Sequence, residues 1–335
     1  MPTGARVTAE SSPVVRMQDV TRRFGEDVVA IDGVTLDVQP GRILGVIGPS
    51  GSGKTTLIRT LTGTLATTNG TVRVLGEDPR RFDRHTRERI GYMPQHFVLY
   101  PELTAAENIS FVASLFGLLW NRRRQRVREV LELVELWDVR NRRAERLSGG
   151  MQRRLELACA LVHEPTLLFV DEPTGGLDPM LRQMIWTEFR RLRDVGRTLL
   201  VTTQYVGEAE YCDEIAVLAR GKVLALATPE DLRKRALGGE VVEVETEQPF
   251  DGLMLTQLPG VHDVQQIASR RFRVVADDAG VATPRMLQEI ASQGGTVVSS
   301  SEYQPTFDEV FAKLVGREDG REREEQHDRA VARAA

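Results

Sequence analysis

The sequence of 335 residues predicts an α/β fold with a mostly parallel core sheet, followed by a small α+β domain. Two short runs that are nearly all apolar, residues 167–170 and 198–201, flank a helical stretch, which is the pattern of parallel strands buried on both faces. A third apolar run, residues 43–47, leads directly into a glycine-rich loop and a helix. The length suits two domains, at roughly 100–200 residues per domain.

The first elements are β-rich runs that end at turn-forming residues such as Gly41 and Gly76. We expect strands at residues 14–20, 33–38, 43–47 and 71–75. From about residue 104 to residue 163 the apolar positions follow helical spacing, so we predict a helical subdomain inserted at about residues 96–165. After the two buried strands and their helix, this first domain is expected to end near residue 238.

The second domain, residues 239–316, is predicted to have the order β-α-β-β-α-β of a ferredoxin-like fold. The expected strands cover residues 241–246, 261–265, 271–276 and 296–300, and the expected helices cover residues 253–258 and 284–293. Residues 317–335 alternate arginine with glutamate and lack an apolar stripe, so a disordered tail is expected. Residues 1–13 lack the features of an export signal and are expected to form a flexible arm.

Charge and cysteine content exclude several classes of protein. The 44 basic and 48 acidic residues give a net charge of −4, so no overall positive field favours nucleic acid. Cys159 and Cys212 are the only cysteines and lie in apolar surroundings, which indicates buried thiols in a reducing compartment. The longest strongly apolar stretch, residues 109–120, is shorter than the roughly 20 residues that a membrane-spanning helix needs.

A phosphate-binding loop follows the apolar run at residues 43–47. Its spacing fits G-x-x-x-x-G-K-[ST], in which backbone N–H groups surround phosphates, the lysine reaches the β- and γ-phosphates, and a hydroxyl binds Mg²⁺. The following helix adds its positive end to the same site. The loop predicts a nucleotide site, and its residues are Gly48, Pro49, Ser50, Gly51, Ser52, Gly53, Lys54, Thr55 and Thr56.

Two further segments carry chemistry. The strand at residues 167–170 ends in Asp171 and Glu172; in enzymes with this loop the first carboxylate serves Mg²⁺ and a second positions or deprotonates the attacking water. A helix is predicted to begin after Ser148, Gly149 and Gly150, which places a hydroxyl and two glycine amides at a positive helix end. Such an end can bind a second phosphate group.

Together these motifs resemble those of the ATP-binding-cassette (ABC) ATPases, the motors of ABC transporters, over residues 14–228. The resemblance implies a phosphate-loop nucleotide-binding fold with an antiparallel β subdomain and an inserted helical subdomain, with ATP and Mg²⁺ as ligands. Mg²⁺ would be bound by Thr55, Asp171 and Gln95, while Lys54 and Glu172 would carry hydrolysis.

The resemblance assigns roles to four further residues. Gln95, in the segment Gly91-Tyr92-Met93-Pro94-Gln95, corresponds to the glutamine that senses Mg²⁺ and water and touches the membrane partner. Phe24 lies where the family stacks an aromatic ring on adenine, and Asp178 lies in the loop that couples two active sites across a dimer. Gln204 occupies the position of a histidine that contacts the γ-phosphate in most members.

Gln204 in place of histidine and Met151 in place of a frequent glutamine depart from the commonest pattern. An amide can still donate a hydrogen bond to the γ-phosphate but cannot titrate, so Gln204 cannot shuttle protons. Both variants are familiar in the exporters of the daunorubicin/doxorubicin-resistance type, which pair with ABC-2 permeases. Segments 148–158, 204–210 and 306–311 are similar to that branch.

We therefore expect an ATP-hydrolysing motor of an ABC-2-type exporter. It would dimerise head to tail on ATP and drive a separate permease at the cytoplasmic face of the membrane, with neither nucleic acid nor a periplasmic binding protein as partner. One alternative is the motor of an ABC importer, which would need such a binding protein. Another is a non-transport ABC ATPase that acts on nucleic acid or ribosomes; the slightly acidic charge and the single cassette disfavour it.

Overall fold

The computed structural model describes residues 12–25, 27–95 and 99–316. The chain divides into two compact units, residues 1–226 and 227–335. Most of the predicted N-terminal arm and the whole predicted tail, residues 317–335, lie outside the described residues. No helix among the described residues is long and apolar enough to cross a membrane.

The first unit contains strands of two sheets. In chain order they are β1 (Val15–Phe24), β2 (Val28–Val38), β3 (Ile43–Ile47), β4 (Asn69–Val74), β5 (Ile90–Met93), β6 (Leu167–Asp171), β7 (Thr198–Thr203), β8 (Glu214–Ala219) and β9 (Lys222–Ala227). Its helices are α1 (Lys54–Leu61), α2 (Arg84–Glu88), α3 (Ala105–Leu115), α4 (Trp120–Leu133), α5 (Gly149–Leu161) and α6 (Pro179–Asp194).

The larger sheet has six strands in the order β5-β6-β7-β3-β8-β9, and the pairs from β5 through to β8 are parallel. Every residue of β3, β6 and β7 is buried, as their apolar sequences predict. Because these strands run in parallel, their carboxyl ends meet at one edge of the sheet, where the phosphate loop, Asp171 and Gln204 follow. The prediction of a mostly parallel core sheet is confirmed.

The smaller sheet is antiparallel, in the order β2-β1-β4. β1 and β2 extend further than predicted, to Phe24 and from Val28, because the end of β1, which includes Arg22 and Arg23, pairs with the apolar start of β2 as a hairpin. Irregularities in the register interrupt both ladders of β1. The apolar faces of this sheet, of α1 and of the parallel sheet share one core, which includes Met17, Leu57 and Phe169.

The predicted helical stretch forms three α-helices, α3, α4 and α5, whose ends follow capping rules. Thr104 and Glu107 form a reciprocal capping box at the start of α3. Ser148 is the N-cap of α5, and Asp178 is the N-cap of α6 with Pro179 in its first turn. The motif residues at positions 148 and 178 therefore define helix starts as well as candidate binding positions.

The second unit contains α7 (Pro229–Leu237), β10 (Glu240–Thr246), a 3₁₀ helix (Gly252–Gln257), β11 (Val261–Ala268), β12 (Arg271–Ala276), α8 (Ala279–Ser292) and β13 (Val297–Glu302), and residues 307–316 are helical. The four strands form an antiparallel sheet in the order β11-β12-β10-β13. The predicted β-α-β-β-α-β order is present, with a 3₁₀ helix in the first helical position.

The predicted boundary at residue 238 assigns α7 to the first domain, whereas in the structure α7 lies in the second compact unit. The physical reason is that α7 contacts residues of the second unit: Arg233 donates to the carbonyl oxygen of Pro305 and lies over the ring of Phe307, and Lys234 pairs with Glu240. The boundary at residues 238/239 remains a prediction.

Candidate active site

The phosphate loop joins β3 to α1 through backbone conformations that favour glycine. Gly51 and Gly53 have φ angles of +80° and +108°. A Cβ on Gly48 would lie 2.0 Å from the carbonyl oxygen of Leu218, and one on Gly53 would lie 2.3 Å from that of Ala30. These glycines let the loop pack against neighbouring backbone, and the loop's N–H groups at the start of α1 can face an anion.

Lys54 is the first residue of α1 and is 4% exposed. Its ammonium donates to the carbonyl oxygens of Gly48 and Pro49, at 2.9 and 3.0 Å, so the side chain folds back across the loop. Ser52 is also buried, and its hydroxyl has no hydrogen-bond partner among the described residues. The loop thus brings a buried cation and an unused hydroxyl to the end of β3.

Glu172 lies beside this loop and joins two other predicted residues. One carboxylate oxygen, Oε1, is 3.2 Å from Lys54 Nζ, and the other, Oε2, accepts a hydrogen bond of 2.8 Å from Gln95 Nε2. The Glu172 backbone has a φ of +47°, which is uncommon for a residue other than glycine. The structure therefore brings Lys54, Gln95 and Glu172 together, although 77 residues separate the last two.

Asp171, the last residue of β6, is fully buried. Its Oδ1 accepts a hydrogen bond of 2.5 Å from the hydroxyl of Thr202 on β7, and its Oδ2 has no hydrogen-bond partner among the described residues. Burial raises the pKa of Asp171, and the hydroxyls of Thr202 and Thr55 oppose that rise. A buried carboxylate oxygen without a partner, beside a threonine hydroxyl, suits the oxygen-ligand preference of Mg²⁺.

The residues at the start of α5 and α6 lie at the surface. Ser148 and Gly149 are exposed. Gly150 is buried against Leu181, and a Cβ at this position would lie 2.4 Å from the Leu181 side chain. Asp178 is exposed too, and its side chain accepts from the backbone N–H groups of the first turn of α6. The predicted roles of these residues in a second active site remain predictions.

Phe24 and Gln204 are also exposed. Phe24, at the end of β1, is 42% exposed, and the guanidinium of Arg22 lies 4.6 Å from its ring centroid. Gln204 follows β7 directly, and the carbonyl oxygen of the preceding Thr203 accepts from the N–H of Gly48. Both positions leave the side chain free to meet a ligand, and both roles remain predictions.

Arg153 and Thr202 are residues of the site that the motif analysis did not single out. Thr202 orients Asp171, and Arg153 on α5 donates to backbone carbonyls of the segments that carry Gln95 and Glu172. A signal for Arg153 was present in the sequence, because Arg153 and Glu156 form an i,i+3 pair of opposite charge and Glu156 lies in the apolar run Leu155-Glu156-Leu157-Ala158 of the helix.

The fold and the site together define a nucleotide-binding protein of the phosphate-loop class, in which a parallel sheet presents the loop and two carboxylates at one edge.

Comparison with known proteins identifies the family. The family described as ABC transporter matches residues 31–175, and the family described as ATP-binding protein DrrA1-3-like, C-terminal domain, matches residues 228–315. The Nod factor export ATP-binding protein I of Cupriavidus metallidurans is 34% identical over 306 residues, which cover 91% of this chain and 98% of that protein. The chain therefore belongs to the ATP-binding proteins of ABC transporters, and the resemblance predicted from the motifs is confirmed.

Two further relatives agree with this assignment. The probable multidrug ABC transporter ATP-binding protein YbhF of Escherichia coli is 37% identical over 246 residues, which cover 72% of this chain and 42% of YbhF. The chain thus spans less than half the length of that relative. A solved dimeric structure of the ATP-binding cassette MJ0796, in a post-hydrolysis state bound to ADP and Pi, is similar with a TM-score of 0.59 and 30% identity, covering 64% of this chain and 98% of that one.

Proposed function

We propose that this chain is the ATP-hydrolysing motor of an ABC-2-type exporter. The observation that carries the proposal is the convergence of Lys54, Gln95 and Glu172 at the edge of the parallel sheet. The match of residues 228–315 to a DrrA-like C-terminal domain supports the exporter branch, as do the export and multidrug names of the relatives.

The arrangement suits in-line attack of water on the γ-phosphorus of ATP. Glu172 is the base, because its carboxylate contacts the lysine that binds phosphate, at 3.2 Å, and can accept a proton from water beside the phosphate. Gln95 holds one carboxylate oxygen by a hydrogen bond and so fixes the direction of the other. Lys54 and the N–H groups of the loop stabilise the negative charge that grows on the phosphoryl oxygens.

Mg²⁺ fits this site because Asp171 offers a buried carboxylate oxygen without a hydrogen-bond partner. Asp171, Thr55 and Gln95 are the residues that would hold it. When bound, the ion neutralises phosphate charge and draws electrons from the phosphoryl group.

A second copy of the chain completes the site. Ser148 and Gly149 are exposed at the positive end of α5, where a phosphate group can bind, and Asp178 is exposed on a neighbouring helix start. In a head-to-tail dimer, ATP lies between Lys54 of one copy and Ser148 of the other. Because ATP contacts both copies only in the closed dimer, binding favours closure and hydrolysis favours reopening.

An ABC-2-type permease is the membrane partner, which places the motor at the cytoplasmic face of the membrane. A cavity of about 220 Å³ lies beside the segment that carries Gln95 and is lined partly by Pro94, Tyr100 and Phe116. Tyr100 and Phe111 pack edge to face at 4.9 Å, and both are exposed. An exposed aromatic pair next to a groove is typical of a protein-binding surface.

Two alternatives differ in their partners. An importer motor would require an extracytoplasmic binding protein in the assembled transporter. A motor that acts on nucleic acid or ribosomes would require a surface for polyanions, whereas the net charge of this chain is −4. The partner set therefore decides between the three functions.

The test is to isolate the complex that ATP stabilises. A tagged Glu172→Gln variant is expressed in its native host, held in Mg-ATP, extracted from membranes with detergent, and analysed by mass spectrometry. A Lys54→Ala variant, which lacks the cation for phosphate, serves as the matched control. We expect a multi-span permease and no binding protein with Glu172→Gln. Recovery of a binding protein would favour an importer, and recovery of ribosomes or nucleic acid without a permease would contradict the transporter function.

A further inference from the structure

Arg153 joins three segments of the first unit through one buried guanidinium. It lies on α5, and its side chain is 10% exposed. Nη1 donates to the carbonyl oxygen of Pro94 at 2.9 Å, and Nη2 donates to the carbonyl oxygens of Glu172 at 2.8 Å and Asp171 at 3.4 Å. Pro94 directly precedes Gln95. The guanidinium therefore holds the backbone on both sides of the hydrogen bond between Gln95 and Glu172.

Glu156 fixes the guanidinium in this position. Its carboxylate is 2% exposed and accepts from Arg153 Nη1 at 2.6 Å, one turn further along the same helix. A buried ion pair brings little net stability, because desolvation offsets the attraction between the charges. The pair does set the direction of the guanidinium, since a planar fork with several donors can satisfy separate carbonyl acceptors only in one orientation.

The backbone that Arg153 holds at Glu172 is itself unusual. A φ of +47° at a glutamate is a strained backbone conformation that persists only where the surroundings enforce it. The N–H of Glu172 donates towards the hydroxyl and the carbonyl oxygen of Thr202, and its carbonyl oxygen accepts from Arg153 at 2.8 Å and from the N–H of Gly175 at 3.3 Å. Arg153 thus supplies the shorter of the two contacts on the carbonyl side of this residue and the one that comes from another element.

We infer that Arg153 is a positioning residue for hydrolysis: it holds Glu172 and Gln95 of its own chain in the geometry that activates water. The inference rests on the proposed ATPase function. Arg153 contacts neither Lys54 nor the phosphate loop through its hydrogen bonds, so it acts on turnover and leaves nucleotide affinity nearly unchanged. It acts in cis, on the carboxylate of the same chain, although its helix presents Ser148 to the other copy.

The first test compares Arg153→Lys with Arg154→Lys. Lysine keeps the charge at position 153 but cannot donate simultaneously to separated carbonyls as the fork does. Arg154 is the matched control, because it is a partly buried arginine of the same helix whose contacts, with Val134 and Glu135, lie elsewhere. We expect Arg153→Lys to lower kcat at least about tenfold while changing ATP affinity less than about twofold, since a small displacement of a reacting group costs rate rather than binding. Arg154→Lys should retain kcat.

The second test separates positioning from a general disturbance of α5. In mixed dimers with two affinity tags, one protomer carries Glu172→Gln, so that single-turnover hydrolysis reports the site with the intact Glu172. Arg153→Lys placed in the protomer with the intact Glu172 should slow that hydrolysis at least about tenfold. The same substitution in the Glu172→Gln protomer should slow it less than about twofold, because there it can act only through Ser148.

Two results would overturn the inference. One is that Arg153→Lys slows single-turnover hydrolysis equally in either protomer of the mixed dimer. The other is that kcat of Arg153→Lys matches that of Arg154→Lys. If Arg153→Lys does not fold, Glu156→Gln tests the same claim, since it removes the charge that pairs with the guanidinium and so weakens the contact that fixes its direction. If the wild-type chain does not hydrolyse ATP, the proposed function is refuted. This result is distinct from failure of the inference, because it is measured on the wild type alone.

Discussion

Lys54 Nζ lies 3.2 Å from Glu172 Oε1, and both side chains are largely buried, at 3% and 14% exposure. The same ammonium donates to the carbonyl oxygens of Gly48 and Pro49. Three oxygen atoms thus surround one cation at the centre of the loop. A phosphate group that enters this loop would meet the same ammonium that the Glu172 carboxylate contacts.

Lys54→Ala should weaken ATP binding. Loss of one member of a buried, hydrogen-bonded charge pair costs about 2 kcal/mol or more, which corresponds to at least about 30-fold in affinity. Equilibrium titration with a fluorescent ATP analogue measures the change, and Lys313→Ala at an exposed position is the control. Unchanged affinity in Lys54→Ala would show that the loop does not bind the phosphates.

Asp171→Asn should raise the Tm of the protein at neutral pH without ligand. Burial raises the pKa of Asp171 above its usual 3.8, so the folded state holds a proton more tightly than the unfolded state. Stability therefore falls as pH rises above that value, and asparagine removes the buried charge responsible. The variant should also lose the extra stabilisation by Mg-ATP over ATP alone. Thermal shift assays with both ligands measure these effects, and a lower Tm or a retained Mg²⁺ effect would contradict the prediction.

His163 should make the protein less stable in mild acid. Burial lowers its pKa below the usual 6.5; its ring stacks on Phe116 at 3.7 Å, and its Nε2–H donates to the carbonyl oxygen of Ile90. As pH falls through 6.5 the unfolded state takes up the proton first, so stability present above that pH is lost. The Tm of the wild type should fall more between about pH 7.5 and 5.5 than that of His163→Gln. Equal slopes would contradict this, and exposed His85→Gln is the control.

Gln204→His should introduce a new pH dependence of turnover. An amide does not titrate, whereas an exposed imidazole titrates near 6.5. Gln204 follows Thr203, whose carbonyl oxygen accepts from the N–H of Gly48 in the phosphate loop, so we expect a charge at position 204 to act on the γ-phosphate. The ratio of kcat for Gln204→His to that of the wild type should change between about pH 5.5 and 7.5. A ratio that is constant with pH would place residue 204 away from the reacting group.

The parallel strands were predictable because burial on both faces leaves short apolar runs, as at residues 167–170 and 198–201. β5 was not predicted, since it has only four residues and contains Gly91. The polar end of β1 was also missed, because pairing with β2 rather than side-chain type keeps it extended. β8 was missed as well, although five of its six residues are buried. Local pattern thus predicts the strands beside the motifs and misses others whose extension depends on tertiary partners.

The residues of the site also divide into those that local pattern predicts and those that it misses. The loop, Asp171 and Glu172 were predictable because they adjoin apolar strands that parallel packing brings to one edge. The buried pair of Arg153 and Glu156 was not predicted, since charged side chains on a helix usually face solvent. Its role depends on contacts with Pro94 and Glu172, which are distant in sequence and meet only in the folded chain.

The most direct test of the central claim is ATP turnover and dimerisation of Glu172→Gln. Light scattering after size exclusion in Mg-ATP gives the mass, and phosphate release gives kcat for the same samples. Removal of the base should lower kcat by at least about 10²-fold, while the uncleaved nucleotide keeps the chain dimeric. Wild-type turnover in Glu172→Gln, together with a monomeric mass in Mg-ATP, would contradict both the assignment of the base and the composite site.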